Sequence, residues 1–572
     1  MLGLGILNLA LRLYPKMDRR EVGCYTDPVR RHLPTLPPWT AALGPLAFGA
    51  AFFAWWVLQN PLPDGWQNEY LHVGNAADLW GALREGDLWH LRWYMYTGYW
   101  PWGFLAAPWP LVAVAGPTLD ALRAANLLHL AVLLGAVWAL GRRLDAPGAT
   151  WIVVLLPGVL GALVRFEPNL AALAWTAAGL ACLNATSGLR DRRAALGYGL
   201  CLGVGLLMDR LTVAFFLLPA LLPHLRGAGR RGTLNLGLAF LLALALAGPY
   251  YREFFLRHSE ELLSQAPVGE IDAAGQRTDA APQWPALYYL FVLLDAQAGL
   301  IPGLALLAGL VATARVAWRG EPRASTSLLW AVLAPVVFFT FIAKKQAYYT
   351  LPALAPLAVL AARHRSTRVL ALAGALLPLP WALTGRGPGH GLSLYTLPEA
   401  WVRPRHTLLA PPSRMDRAAL DAIATAIPRL PPRGDMVRAA APGHRGTPVL
   451  VLSEDERLYE GFLVLALRER IPGAQVRGLA LDPNGTAELL DDTDIFVWAG
   501  PDEAAGWPTA ARVDAVLRGD HYDVGRLPPI GKKVEAARAD FTLLARFTVD
   551  DTDVLVYARS GAGAVPPLPG PD

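Results

Sequence analysis

Two ammonium groups, Lys344 and Lys345, stand inside the apolar stretch FFTFIAKKQAYYTLPALAPLAVLAA (338–362). An ionisable side chain at the centre of a bilayer costs about 2.5–3.5 kcal/mol on insertion scales, so residues of this kind mark either function or an anchor at the membrane surface. Other charged residues flank apolar segments elsewhere in the chain. Asp64, Glu69 and Glu167 are carboxylates, and Arg165 and Arg210 are guanidinium groups. A carboxylate can deprotonate or orient an attacking hydroxyl or amine. Arg, through its planar fork, and Lys, as a point charge, stabilise an anion that develops as a bond breaks. These residues amount to a transfer site only if the chain brings them to one side of a membrane.

The composition calls for a membrane. Of 572 residues, 54% are hydrophobic and 17% charged, against about 25% charged in soluble domains. The 20 tryptophans suit interfacial belts. Arg-rich loops recur between apolar runs at 16–31, 141–148, 189–193, 226–232, 319–323 and 363–368. The positive-inside rule places all six in the cytoplasm. It also accounts for the net charge of +5 without nucleic acid. About eleven spans follow: 41–59, 119–140, 150–164, 170–186, 194–208, 211–225, 234–250, one ending near Trp318, 325–343, 350–362 and 369–383. The N-terminal segment 1–40 has basic residues and no small-residue cleavage site, so it reads as cytoplasmic. Cys24, Cys182 and Cys201 show no metal-ligand spacing and read as free thiols.

This zigzag leaves 60–117 and 251–285 outside, with everything after Gly385. The first outer segment is rich in Trp and Tyr, and EYLHVGNAADLWGAL within it has helical spacing. Its carboxylates Asp64, Glu69 and Asp78 are expected to face outward, solvated unless they line a site. In the second outer segment, His258, Glu260, Glu261 and Asp272 read as a solvated lid. The tail changes character after a linker at 385–445. TPVLVLS and DIFVWAG read as buried strands, DERLYEGFLVLALRERI as an amphipathic helix, and FTLLARFTVDDTDVLVYAR as two strands around an Asp-rich turn. A small α/β domain over 446–559 is predicted, followed by a disordered tail at 560–572.

Four segments carry a resemblance. NEYLHVGNAADL resembles the first outer loop of GT-C glycosyltransferases, the dolichyl-phosphate-mannose protein mannosyltransferases and the lipid A aminoarabinose transferases among them. The aromatic-proline stretch that follows, with Gly116, Arg123 and the basic cap Arg142–Arg143, looks like that family's continuation. RFEPNLAALAW resembles its Arg-x-acid-Pro segment through Arg165, Glu167 and Pro168. KQAYYTLP resembles its Lys-x-x-x-Tyr-x-x-Pro element through Lys345, Tyr349 and Pro352. The resemblance spans about 41–362 and leaves the tail uncovered. Three positions depart from the pattern: Asn68–Glu69 replaces an Asp-Glu pair, Glu167 replaces an Asp, and Asp209–Arg210 stands where relatives often carry Lys.

The resemblance implies a polytopic α-helical membrane enzyme of bacterial inner-membrane type, in the GT-C manner, with a long first outer loop. It would move a sugar from a polyprenyl-phosphate donor to an extracytoplasmic lipid, glycan or protein. Glu69, Asn68, Glu167 and Asp64 are the implied catalytic positions. Lys345, Tyr349, Arg165, Arg210 and Arg123 are the implied donor-phosphate contacts, and Lys344 reads as an anchor. Relatives differ in metal dependence, and no metal cluster is evident here. The competing readings are a lipid-linked sugar flippase and a non-catalytic envelope-assembly scaffold. The absence of internal repeats speaks against a transporter. A reporter fused after Gly446 should be active only on the extracytoplasmic side; a cytoplasmic signal there would overturn the zigzag.

Overall fold

The computed structural model describes residues 40–59, 67–96, 101–226, 228–264, 285–317, 323–341, 348–376, 422–425, 448–453, 467, 475–478, 495–501, 507–513, 530–549 and 552–559. Helix α1 (Thr40–Gln59) precedes four helices of the first loop: α2 (Gln67–Glu85), α3 (Leu88–Tyr96), α4 (Trp102–Ala106) and α5 (Trp109–Ala115). Then come α6 (Leu119–Arg143), α7 (Ala149–Leu155), α8 (Pro157–Val164), α9 (Asn169–Ala185), α10 (Arg192–Met208), α11 (Thr212–Leu225) and α12 (Gly229–Ser264). A 3-10 turn (Pro285–Leu287), α13 (Tyr288–Val292) and a π-helical turn (Leu293–Gln297) lead into α14 (Leu300–Ala317) and α15 (Arg323–Phe341). A second 3-10 turn (Leu351–Ala353) opens α16 (Leu354–Ala362), and α17 (Arg365–Leu376) follows.

A described helix lies wherever a span is expected, though not always in one piece. The segment expected as one span at 150–164 is two helices, α7 and α8. Leu156 is extended (φ −69°, ψ 132°), as the residue before a proline prefers, and Pro157 opens α8. The span expected at 234–250 is part of the longer α12. Among the described residues, four segments are long and apolar enough to cross a membrane: Leu119–Arg143, Gly229–Leu256, Leu300–Ala317 and Arg323–Phe341. Five shorter apolar stretches accompany them, one of them Trp102–Ala115 in the first loop.

Local signals set the helix ends. Thr118 caps α6 by accepting the Ala121 N–H, and Asp191 caps α10 by accepting that of Ala194. Arg142 and Arg143 close α6 at its negative end. Every residue of α8 and α16 is buried, as helices that are apolar on all sides must be. Without a hydrophobic drive between lipid-solvated helices, close backbone approach does the packing. Gly199 and Gly203 of α10 lie against the backbone of Ala239 and Ala243 of α12, and Gly309 of α14 against that of Ala361 in α16.

The tail forms a five-stranded sheet, in the order β2-β1-β3-β5-β4. Its strands are β1 (Pro448–Ser453), β2 (Gln475–Gly478), β3 (Ile495–Pro501), β4 (Phe541–Val549) and β5 (Thr552–Arg559). Strand β1 runs parallel to β2 and β3, whereas β5 is antiparallel to β3 and to β4. Leu450, Phe496, Trp498, Leu555 and Tyr557 pack one buried layer, with Trp507 and the helix Ile530–Ala536 laid over it. Strand β2 is an addition to the expected strands. The expected helix after β1 falls almost wholly outside the described residues, as do the linker and the terminal segment.

A Cβ at Gly199 would come within 2.2 Å of the Ala239 carbonyl oxygen, while one at Gly237 of α12 meets nothing within 4 Å. Gly199→Ala should therefore cost about 1–3 kcal/mol. Gly237→Ala should be neutral or stabilising by up to about 1 kcal/mol. Thermal unfolding in detergent separates the two, and equal melting temperatures for both variants would refute this packing.

Candidate functional site

The site is built from the first loop inward. Glu69 lies in the first turn of α2, and its side chain is 0% exposed. Across from it, Arg123, just past the first turn of α6, is 1% exposed. Arg123 Nε donates to Glu69 Oε1 at 2.8 Å and its second terminal nitrogen to Oε2 at 2.9 Å, a two-point fork on a carboxylate. The backbone N–H of Phe166 donates to the same Oε1 at 2.7 Å. One turn along α6, Asn126 Nδ2 donates to the carbonyls of Ala162, Leu163 and Arg165. Those are carbonyls that the end of α8 leaves without helical partners. Helix α6 thus grips the turn between α8 and α9 from two levels, and α2 is locked to the same turn.

That turn carries RFEP. Arg165 and Glu167 are each 6% exposed, and the Glu167 N–H donates to the Arg165 carbonyl at 2.9 Å. Glu167 Oε2 accepts from Asn169 Nδ2, at the positive end of α9. The Phe166 ring stacks on Phe104 of α4 at 4.6 Å, and His72, one turn beyond Glu69, meets Phe104 edge-on at 5.3 Å. Gly103 lets α4 rest directly on Leu207 at the end of α10.

Asp209 and Arg210 form the turn between α10 and α11. Glu167, Arg210 and Asp209 lie within electrostatic reach of the Tyr348 hydroxyl. Burial pushes that hydroxyl well above the ordinary phenol range, Tyr349 and Glu167 add to the effect, and Arg210 opposes it. Tyr348 therefore stays a neutral O–H donor. Burial also raises Asp209, against the Thr212 hydroxyl and Arg210. His72 is lowered to about 3, by burial first and by Arg210 second, so its imidazole is neutral at cellular pH and adds no charge toward an anion. Gln297 Nε2 donates to Thr350 Oγ1 at 3.0 Å and ties the Tyr348–Thr350 turn to the π-helical turn. Among the described residues, no group of three or more His, Cys, Asp or Glu side chains converges as metal ligands would.

Among the solved structures similar to this chain are two that share its overall fold. ArnT from Cupriavidus metallidurans, bound to undecaprenyl phosphate, superposes with a TM-score of 0.55 over 92% of this chain and 100% of its own, at 13% identity. Its apo state gives 0.53 over the same shares, at 14% identity. The chain has the GT-C fold. No protein-family model and no curated protein matches the sequence.

Within this GT-C fold, the residues singled out in the sequence separate into groups. Glu167, Arg165, Arg210 and Tyr349 gather at the end of the bundle where α2 sits. Tyr349 stacks on Phe339 at 5.2 Å. Glu69 does not face outward as expected. It is enclosed, because Arg123 supplies the countercharge that lets a carboxylate leave water. Arg123 correspondingly directs two of its nitrogens at Glu69. Asp78 does face outward and accepts from the Tyr94 hydroxyl at 3.1 Å. Asn68 lies in the first turn of α2, with its side chain outside the described residues. Asp64, Lys344 and Lys345 also lie outside them, as do Asp272 and the side chains of His258, Glu260 and Glu261.

The sequence reading missed Asn126, Tyr348, His72 and Asp295. Asn126 had a legible signal: it follows Arg123 by three positions on an apolar helix, hence on the same face. Asp295, 2% exposed in the π-helical turn, is a lone carboxylate in an apolar run. Removing one partner of the buried pair should be severe. Glu69→Ala should cost about 3–5 kcal/mol, and Glu69→Leu combined with Arg123→Met should recover most of it. Melting of the purified variants checks this, and a fully stable Glu69→Ala would contradict a structural pair.

Proposed function

We propose that this chain is a membrane glycosyltransferase that moves a sugar from a polyprenyl-phosphate donor to an extracytoplasmic lipid, glycan or protein. The observation that carries the reading is that three separate turns of the bundle bring Glu167, Asp209 and Arg210 within electrostatic reach of Tyr348. The similar ArnT structure, a lipid A aminoarabinose transferase, holds undecaprenyl phosphate, a donor-side lipid of the required kind. The membrane would be a bacterial inner membrane, with the tail sheet on the outer side.

The reaction is a single displacement with inversion. The acceptor oxygen or nitrogen attacks the anomeric carbon, the bond from that carbon to the phosphate oxygen breaks, and polyprenyl phosphate leaves with the electron pair. Glu167 takes or orients the acceptor proton, and Asn169 fixes its Oε2. Arg165, Arg210 and Lys345 stabilise the departing phosphate, with Tyr349 beside them. Glu69 and Arg123 hold the turn in register and do not touch substrate. Asn68 and Asp64 are proposed as further catalytic positions.

One observation favours a second reading. The first acid of the family's pair is the amide Asn68, and Glu69 is enclosed, which suits a non-catalytic assembly scaffold. Transfer assays decide between the two. In vesicles supplied with a polyprenyl-phosphate sugar and acceptor membranes, Glu167→Gln should lower kcat by about 10²–10⁴-fold at unchanged expression. Lys345→Ala should also abolish transfer. Full activity in Glu167→Gln would remove the assigned base; inactivity of the unaltered chain with every such donor would favour the scaffold.

A further inference from the structure

About 30 Å along α6 from Arg123, the same helix ends at Arg143. At that end of the bundle α11 and α15 run antiparallel, and Ser327 Oγ donates to the Ala220 carbonyl at 2.8 Å. One turn further along each helix, Arg323 at the start of α15 falls beside His224 at the end of α11. His224 is 3% exposed, and among the described residues neither of its ring nitrogens has a hydrogen-bond partner. A buried polar group in that condition calls for a partner, a water or an ion among them. The charges that bear on it are those of Arg323 and Arg143. Among the described residues, neither guanidinium has a carboxylate within ion-pair distance.

The surroundings fix these groups in place. The Arg323 guanidinium lies over Gly188, where a Cβ would come within 2.5 Å of its terminal nitrogen. Gly188 is the middle of a left-handed run, with φ of 50° at Ser187, 74° at Gly188 and 67° at Leu189. Thr186 Oγ1 donates to the Leu183 carbonyl and accepts the Leu189 N–H, while Asn235 Nδ2 donates to the carbonyls of Leu189 and Arg190. A third guanidinium joins through Arg363, which donates to Ser325 Oγ at 2.9 Å in the first turn of α15. The N-terminal end of a helix adds the same sign of charge.

We propose that this end of the bundle holds a binding site for a phosphate-bearing anion, seated between His224, Arg323 and Arg143. The forked guanidinium groups match phosphate oxygens, and the imidazole supplies a further N–H to one of them. The site is separate from the Glu167 cluster and independent of the transfer reaction. Its anion is either an anionic phospholipid headgroup or free phosphate.

The test uses the full chain in neutral detergent and follows thermal unfolding as phosphatidylglycerol, phosphatidylcholine or inorganic phosphate is added. Phosphatidylglycerol should raise the melting temperature more than phosphatidylcholine does. A rise with phosphatidylglycerol alone identifies a lipid headgroup, and an equal rise with inorganic phosphate identifies the free anion. Arg143→Gln and Arg323→Gln, both at exposed positions, should each raise the half-saturating concentration roughly tenfold or more. Arg231→Gln, an exposed position in the first turn of α12, should leave it unchanged. The site is refuted if neither anion stabilises the chain beyond phosphatidylcholine, or if all three variants respond as the unaltered protein does.

Discussion

A carboxylate and a guanidinium that have both left water hold the candidate site together. Neither Glu69 nor Arg123 could be buried alone, because an unpaired charge inside a bundle is too costly to keep. Each makes the other's burial tolerable, and the Phe166 N–H completes the set. The consequence is positional. The first turn of α2, the start of α6 and the turn between α8 and α9 must meet at one point for the charges to cancel. Once they do, Asn126 is carried onto the end of α8 and Glu167 is set at the head of α9. Such a pair adds little net stability over an apolar replacement, but it fixes geometry strictly.

The remaining bundle supplies the framework for that point. Glycines and alanines at the α10–α12 and α14–α16 contacts bring backbones close enough for van der Waals attraction to hold apolar helices together. Helices α8 and α16, buried on every side, form the centre. The turns of the candidate site are attached to it at helix ends, where backbone groups lack helical partners and side chains can reach them. Proline at the start of α8 and in the turn before α16 takes part in this, since it opens a helix without leaving an N–H stranded.

Charge is sorted along the bundle. One end combines acids with bases, Glu167 and Asp209 with Arg165 and Arg210, and keeps a neutral hydroxyl and a neutral imidazole beside them. The other end is basic, with Arg143 and Arg323 near a buried His224 and Arg363 on Ser325. A mixed cluster suits a reaction in which a proton and a phosphate separate. A basic one suits an anion that stays whole.

The sequence by itself determined the membrane class, because apolar length and Arg-marked loops are one-dimensional properties. It also marked most helix positions and the strands β1, β3, β4 and β5, whose apolar runs fit one geometry better than another. The RFEP turn and the Tyr349–Pro352 element were legible for the same reason, as local spacing. What sequence could not settle was partnership. Glu69 and Arg123 are 54 residues apart and Phe166 is farther still, so whether Glu69 faces water or a guanidinium is decided only when three helices pack. Tyr348 gained its surroundings in the same way, from turns contributed by distant segments. Burial and charge pairing are properties of the packed bundle, and the tertiary structure alone turned an outward-facing carboxylate into the pin that holds the site.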